Sequence, residues 1–206
     1  LSALVVAAGV IYMLGEKPGE ALGILINSAL GTPEGLGYTL FYTTTYVLTG
    51  LSVSVAMQAG LFNIGSDGQM YLGGLGLTLL MLQFDASMPT WVLVPMGILG
   101  AMAFGALWAF IPGYLQARRG SHVVVTTIMF NFIAASLMNF IIISYLIPVG
   151  EQNPASRMFA EAAWLPRLNT LIPALGDNPL NISFILCLLC LALYGFVVWH
   201  TRWGYA

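Results

Sequence analysis

Charged residues are scarce in this chain. Of its 206 residues 7% are charged, with six lysines and arginines against eight acidic residues, whereas a soluble domain carries about 25%. So few charges cannot cover a surface that faces water, and 59% of the residues are hydrophobic. The composition therefore predicts an integral membrane protein. The formal net charge of -2 is too small to indicate a nucleic-acid partner.

Motifs of enzymes and metal sites are also lacking. The sequence contains no HExxH, no GxSxG, no DxxxD pair and no glycine-rich phosphate loop followed by lysine. We therefore predict no catalytic residue, no metal ligand and no hydrolysis of ATP by this chain itself. Cys187 and Cys190 form a CxxC, which can indicate redox or metal chemistry. Because leucines separate them and no other soft ligand is near, we interpret them as ordinary residues of a membrane helix.

Long apolar runs are what the chain has in abundance. A helix needs about 20 mostly apolar residues to cross a bilayer, and six runs are candidates. The sequence therefore predicts an all-α, polytopic transmembrane helical bundle in one domain over residues 1–206. The expected spans are Leu1–Leu14, Tyr38–Ala59, Gln69–Phe84, Trp91–Leu115, Val123–Ile147 and Ile182–His200. An apolar run is already under way at the first residue, so we expect a fragment of a longer subunit, with N- and C-terminal parts missing.

Basic residues predict the orientation of the spans. Arg118 and Arg119 lie between the fourth and fifth spans, and Arg202 follows the sixth. Two spans separate these sites, so they share one side, which we expect to be cytoplasmic. Six spans then place the N-terminus in the cytoplasm and residues 148–181 outside. We expect short helical pieces in this outer loop, and a short interfacial helix over Glu20–Leu30.

One polar stretch, G-L-F-N-I-G-S-D-G-Q-M over residues 60–70, separates two apolar runs. Its glycines Gly60, Gly65 and Gly68 predict a helix break, because glycine loses the most backbone freedom on ordering. An ionisable side chain beside a broken membrane helix indicates a functional site, and Asp67 is such a side chain. A second interpretation is that Asp67 caps the start of the third span. The two roles are compatible.

The fifth span carries polar side chains at four-residue spacing. Thr127, Asn131 and Asn139 lie along one slowly turning face. An amide without partners is costly in hydrocarbon, so this face should turn toward the protein interior or a wet path. A plain interhelical hydrogen bond, worth about 0.6 kcal/mol on average, explains the pattern equally well. Both interpretations stay open at this point.

The fourth span carries small residues at the same spacing, at Gly97, Ala101, Gly105 and Ala109. Small residues let another backbone approach closely, which is how membrane helices associate. We predict a packing face for another span or subunit. The alternative is that glycine and alanine are simply common in membrane helices.

Three blocks together resemble one family. Gly60–Gln69 resembles the GLFNIGxEGQ block of bacterial ABC importer permeases for nucleosides and simple sugars, in the branched-chain amino acid/ribose type permease superfamily. Residues 117–131, A-R-R-G-S-H-V-V-V-T-T-I-M-F-N, resemble a second block of the group, and Arg202–Tyr205 resembles a third. Two positions depart from the pattern, since Asp67 replaces a usual glutamate and Val123 a frequent acid.

The resemblance implies a permease subunit of the bacterial plasma (inner) membrane that forms a homo- or heterodimer. Two cytoplasmic ABC ATPase subunits would bind ATP and Mg, while this chain binds no cofactor. A periplasmic or lipid-anchored solute-binding protein would deliver a small polar solute, and ATP would switch the path between outward-facing and inward-facing states. The residues that we expect to line the path are Asn63, Asp67, Gln69, Thr127 and Asn131.

Two other classes of protein remain candidates. An ion-coupled secondary transporter would use Asp67 to bind its coupling cation, and it would need no ATPase partner. An assembly subunit without its own pathway would need only the packing face of the fourth span. The sequence also leaves the solute open. Phe62, Phe130 and Phe132 could stack on a nucleobase, but aromatic residues at such spacing also occur in cores and against lipid.

Overall fold

The computed structural model describes residues 2–170, 172–173 and 176–205. Within these residues the regular elements are helices, apart from one isolated β-bridge between Arg167 and Asn181. The predicted all-α class is therefore confirmed. The chain divides into two compact units, Leu1–Leu48 with Pro166–Phe196 and Thr49–Leu165 with Val197–Ala206. The polar stretch at residues 60–70 belongs to the second unit.

The α-helices in the described residues are α1 Ser2–Met13, α2 Pro18–Ile26, α3 Pro33–Gln58, α4 Ser66–Phe84, α5 Thr90–Arg119, α6 Val123–Ile141, α7 Ser183–His200 and α8 Arg202–Tyr205. Turns of π-helix follow α2 and α6, at Asn27–Gly31 and Ile142–Leu146. Two 3-10 turns, Glu161–Ala163 and Leu168–Thr170, are the short helical pieces expected in the loop before α7. The short helix expected over Glu20–Leu30 is present as α2 and its π-helical turn.

Four of the six expected spans are long and apolar enough to cross a membrane, namely α3, α5, α7, and α6 with its extension to Leu146. The other two also form helices. The first, α1, has only 12 residues. The other, α4, has 19 residues but begins with the polar run Ser66–Gln69, which lowers its hydropathy. The second span begins at Pro33, earlier than the expected Tyr38.

In the first unit, the segment before α7 packs onto α3 at a glycine. Asn178 is buried to 2% exposure, and a Cβ atom on Gly37 would overlap its amide group. Further along, the Cys187 thiol donates to the Thr44 carbonyl oxygen over 3.7 Å. Cys187 and Cys190 are both free thiols, in keeping with their interpretation as ordinary residues of a helix.

In the second unit, small residues bring the backbones of α4 and α5 together. A Cβ atom on Gly76 would lie 2.7 Å from the Gly100 carbonyl oxygen, and one on Gly73 would lie 3.2 Å from the Ala101 carbonyl oxygen. Larger side chains at these positions would push the helices apart. The two backbones therefore touch directly over this contact.

The expected packing face of the fourth span lies on α5, at Gly97, Ala101, Gly105 and Ala109. Its first three positions face α4. Gly97 lies against the Met81 side chain, Ala101 against Gly73, and Gly105 against the Gln69 carbonyl oxygen. Ala109 is half-buried. The partner of this face is thus α4 of the same chain, and Gly100 joins the contact although it lies outside the expected series.

An ion pair that the sequence did not suggest joins the loop after α6 to the end of α4. Arg157 donates from Nη1 to Asp85 Oδ2 over 2.8 Å and from Nη2 to Asp85 Oδ1 over 2.9 Å. It also donates to the Leu82 carbonyl oxygen, and the Ala160 N–H donates to Asp85 Oδ2. The Asp85 side chain is 2% exposed. We call these contacts the loop clasp.

The loop clasp makes the fold of this loop sensitive to acid. Hydrogen bonds from Arg157 and then from the Ala160 N–H lower the pKa of Asp85 from 3.8 to about 2, against the opposing effect of burial. A carboxyl group whose pKa is lower in the folded state contributes stability above its unfolded pKa, and this is lost as the pH falls through the folded value. We therefore expect pepsin cleavage of residues 148–165, measured relative to its cleavage of the unfolded protein at the same pH, to rise progressively between about pH 4 and pH 2.

A variant checks the same contact at neutral pH. Arg157→Ala leaves the buried Asp85 carboxyl group without its bidentate partner, so chymotrypsin should cut near Phe159 faster than in the unchanged protein. Arg167→Ala is the matched control, because its pair with Asp177 is exposed on both sides and such pairs contribute little. Equal protection of the loop in the Arg157→Ala and Arg167→Ala proteins would show that the clasp does not hold the loop.

Candidate functional site

The predicted helix break is present between α3 and α4. At the end of α3 the Gly60 N–H donates to the Met57 carbonyl oxygen, and the Leu61 N–H donates to that of Ala56. This pair of bonds is the Schellman ending of a helix, which needs a left-handed residue after the last helical one. Gly60 supplies it, with φ of +74°. The chain then runs without helix until Ser66.

Asn63 organises the non-helical segment from within. Its Oδ1 atom accepts a hydrogen bond from the Gly65 N–H over 2.7 Å, which is the geometry of an Asx turn. Gly65 is then the N-cap residue of α4. Asn63 was expected to line a solute path. In the structure its side-chain amide oxygen, Oδ1, shapes the break instead.

Two side chains of α6 bind the break from the side. Asn131 donates from Nδ2 to the Ile64 carbonyl oxygen over 2.8 Å and accepts at Oδ1 from the Gly68 N–H over 2.9 Å. The Thr127 hydroxyl accepts from the Ile64 N–H over 3.3 Å and donates to the Val123 carbonyl oxygen. We call the contacts of Thr127 and Asn131 with the break the α6 clamp. Thr127 and Asn131 therefore make interhelical hydrogen bonds, whereas Asn139 on the same predicted face is exposed.

The prediction that Gly68 belongs to the helix break is wrong, because Gly68 is a contact residue between α4 and α6. It lies inside α4 and is buried. A Cβ atom on it would lie 2.9 Å from Asn131 Oδ1, 3.0 Å from Trp108 Nε1 and 3.2 Å from the Asn131 Cα atom. Glycine is therefore needed here because α6 approaches closely, and not because the helix ends.

The interpretation of Asp67 as the residue that caps the third span is also wrong. The N-cap position of α4 is Gly65, with no side-chain capping bond, and Asp67 lies within the first turn. Its side chain is exposed, and no hydrogen bond or ion pair joins it to another residue that the structure describes. A negative charge still interacts favourably with the N-terminal end of a helix. Asp67 thus contributes at most this general interaction to the helix and keeps its oxygens open to other donors.

The α6 clamp also fixes how deep Asp67 lies. Ile64 pairs with Thr127 and Gly68 with Asn131, the same offset of 63 residues in both cases, so α4 and α6 run parallel. With this offset Asp67 is level with Phe130, seven residues into the span that begins at Val123. At a rise of ~1.5 Å per residue, that is about 10 Å from the end of the span.

A carboxylate at that depth does not face lipid without penalty. The cost at the centre of a membrane helix is about 2.5–3.5 kcal/mol on the insertion scale, and acidic residues inside spans face a water-filled cavity or another protein group. Gln69, the fifth expected path residue, is half-buried on the turn that carries Asp67. Of the five expected path residues, Asn63, Thr127 and Asn131 meet at the break, and Asp67 is the one whose side chain is exposed.

Trp108 of α5 is a neighbour of the break that the sequence did not indicate. Its ring packs on Phe130 with centroids 5.2 Å apart and planes at 58°. Its Nε1 atom is buried and has no hydrogen-bond partner among the described residues. Phe130 is therefore engaged in packing, whereas Phe62 and Phe132 are exposed, to 53% and 72%. Further along α4 and α6 from the break, the buried core between the two helices is formed by Leu72, Leu75 and Ala134.

Known proteins match most of the chain. The family model described as branched-chain amino acid transport system, permease component, matches residues 35–206. A glucose ABC transporter permease protein of Haloferax volcanii is 33% identical over 180 residues, which are 87% of this chain and 47% of that protein. A guanosine ABC transporter permease protein of Bacillus subtilis is 32% identical over 201 residues, 97% of this chain and 56% of that protein.

A nucleoside ABC transporter permease protein of Lactococcus lactis is 33% identical over 202 residues, covering 96% of this chain and 55% of that protein. The chain thus spans about half the length of these curated relatives. No solved structure gives a significant match.

Proposed function

The chain belongs to the family of permease components of branched-chain amino acid transport systems, and from this we propose that it is the membrane-spanning subunit of an ATP-driven importer for a nucleoside or simple sugar. The observation that supports this most directly is the polar helix break held by the α6 clamp. It lies inside a block of apolar helices and leaves one carboxylate, Asp67, exposed at depth. In secondary transporters the solute site lies at interrupted helices of this kind, and we propose the same role for the break in this chain.

The substrate class rests on what the relatives are named for, which is glucose, guanosine and nucleosides. These solutes share a sugar ring that carries several hydroxyl groups. We propose that the solute of this chain has the same feature. An exposed carboxylate suits it, because each carboxylate oxygen accepts hydroxyl hydrogen bonds and charged acceptors make stronger ones than neutral groups do.

The proposed assembly is a dimer of permease subunits, identical or different, in the plasma membrane with two ABC ATPase subunits on the cytoplasmic side. ATP and Mg would bind to the ATPases, and an external solute-binding protein would deliver the solute. We place the N-terminus of the chain in the cytoplasm, because Arg118 and Arg119 end α5 and basic residues favour the cytoplasmic side.

An ion-coupled secondary transporter is the second candidate, since the exposed Asp67 could bind a coupling cation. Purification separates the two. The permease, tagged in its native membrane and isolated in mild detergent, should bring down an ABC ATPase whose ATP hydrolysis rises when the solute-loaded binding protein is added. An assembled permease that contains no ATPase and still takes up solute along a proton gradient would contradict the proposal and favour the secondary transporter.

A further inference from the structure

The two faces of α4 differ sharply in composition and exposure. The face toward α5 and α6 is buried and consists of glycine and leucine over its first three turns, namely Gly68, Leu72, Gly73, Leu75 and Gly76, with Met81 buried nearer the end of the helix. The opposite face begins with Asp67 and continues through Tyr71 and Gly74, all exposed, to the half-buried Thr78. These positions recur every three or four residues, so they form one stripe along the helix. We call it the α4 stripe.

Asp67 and Tyr71 lie one helical turn apart on this stripe, where side chains four residues apart are neighbours. The Tyr71 side chain is 41% exposed, so its ring is available to a ligand. A Cβ atom on Gly74 would meet nothing within 4 Å. The stripe thus offers an acceptor, then an aromatic ring, then open space, in that order away from the break.

This composition is unlike that of a surface that faces lipid. On α6 of the same unit most exposed positions are apolar, such as Phe132 at 72% and Met129 at 61% exposure, and the exposed polar side chains Ser136 and Asn139 carry no charge. The Asp67 carboxylate would be costly against acyl chains. Nor does the stripe suit a symmetric contact with a second copy, because a two-fold interface brings the same patch from both subunits together. Like charges would then face each other without a partner.

We propose that Asp67 and Tyr71 bind the hydroxylated ring of the solute and that Gly74 and Thr78 continue the wall of its path; this rests on the proposed function. Adjacent solute hydroxyls donate to the two Asp67 carboxylate oxygens, and the apolar face of the sugar ring lies on the Tyr71 ring, the usual division between polar and aromatic groups in ligand sites. Thr127 and Asn131 are then positioning residues, which hold the break and do not touch the solute.

Cysteine labelling tests the position of the path without measuring transport. In a Cys187→Ala, Cys190→Ala background of the purified complex, Gly74→Cys should react readily with a membrane-impermeant maleimide. Guanosine or glucose, whichever the transporter takes up, should protect it. Phe132→Cys, on an exposed apolar position of α6, is the control and should react slowly. An unreactive Gly74→Cys, labelling that solute does not reduce, or a disulfide between two copies through Cys at position 74 would each overturn the proposal.

Protection also measures affinity at the permease itself, independently of the binding protein. For Gly74→Cys the 2′-deoxy analogue should need about tenfold more ligand for half protection, because one hydroxyl bond to Asp67 is lost. In the double variant Asp67→Asn, Gly74→Cys, half protection should need about tenfold more of the parent solute. The difference in affinity between the parent solute and its 2′-deoxy analogue should also shrink.

Failure of this proposal and failure of the proposed function give different results. If the Asp67→Asn protein keeps ATP-driven uptake and still prefers the parent solute to its 2′-deoxy analogue by the same factor, the role of Asp67 is overturned and the proposed function stands. Absence of ATP-driven uptake of any nucleoside or sugar by the unchanged, assembled complex would overturn the proposed function itself.

Discussion

Replacement of Gly76 by alanine is expected to destabilise the permease by about 2 kcal/mol. The added Cβ atom would lie 2.6 Å from the Phe104 Cγ atom and 2.7 Å from the Gly100 carbonyl oxygen. The oxygen belongs to the backbone of α5, so relief requires the two helices to move apart. The gain from replacing a helical glycine, about 1 kcal/mol, does not offset overpacking along a whole helix contact.

Gly74→Ala is the matched control for stability, two residues away in the same helix. Its Cβ atom would meet nothing within 4 Å, so the variant should be as stable as the unchanged protein or slightly more stable. Thermal unfolding of the two purified variants, followed by size-exclusion fluorescence, compares them directly. An equal midpoint for Gly76→Ala and Gly74→Ala would show that α4 and α5 do not pack as described.

Asn131→Ala is expected to release the helix break from α6. The variant leaves the Ile64 carbonyl oxygen and the Gly68 N–H without the partners that the amide supplies. Interhelical hydrogen bonds in membranes average about 0.6 kcal/mol, whereas a buried group left unpaired costs about 1–3 kcal/mol. We expect a loss of about 1 kcal/mol, because the bond to the Gly68 N–H is partly buried whereas the bond to the Ile64 carbonyl oxygen is exposed.

Hydrogen exchange measures this release where it occurs. Peptides that cover residues 59–68 should exchange faster in Asn131→Ala, while the core of α5 should exchange as before. Asn139→Ala is the control, since this second asparagine of α6 is exposed and makes no bond to the break. Asn131→Asp keeps an acceptor for the Gly68 N–H but loses the donor, so it should fall between the two. Unchanged exchange at the break in Asn131→Ala would contradict the role of the clamp.

The break could be predicted from the sequence because its cause is local. A glycine with positive φ ends α3, and Asn63 closes the turn before α4, within a few residues of each other. Gly68 was misplaced for a related reason. Glycine serves both helix ends and close helix contacts, and the spacing of three glycines does not separate the two uses.

The partners of Thr127 and Asn131 could not be predicted in the same way. Their shared face on α6 follows from helical periodicity, but the offset of 63 residues that sets them beside Ile64 and Gly68 depends on how the helices pack. Asp85 and Arg157 are 72 residues apart, and the chain between them includes α5 and α6. Such contacts depend on tertiary register, which hydropathy and motifs do not encode.

The central claim is that the clamped break meets a hydroxylated solute that ATP moves across the membrane. Its most direct test is the initial rate of nucleoside or sugar uptake into vesicles that contain the permease with the proposed ATPase and binding protein, with ATP on the ATPase side. We predict uptake that requires ATP, falls to near background with Asn131→Ala and stays near normal with Asn139→Ala. Normal uptake by an assembled Asn131→Ala complex, or uptake driven by a proton gradient without nucleotide, would contradict this account.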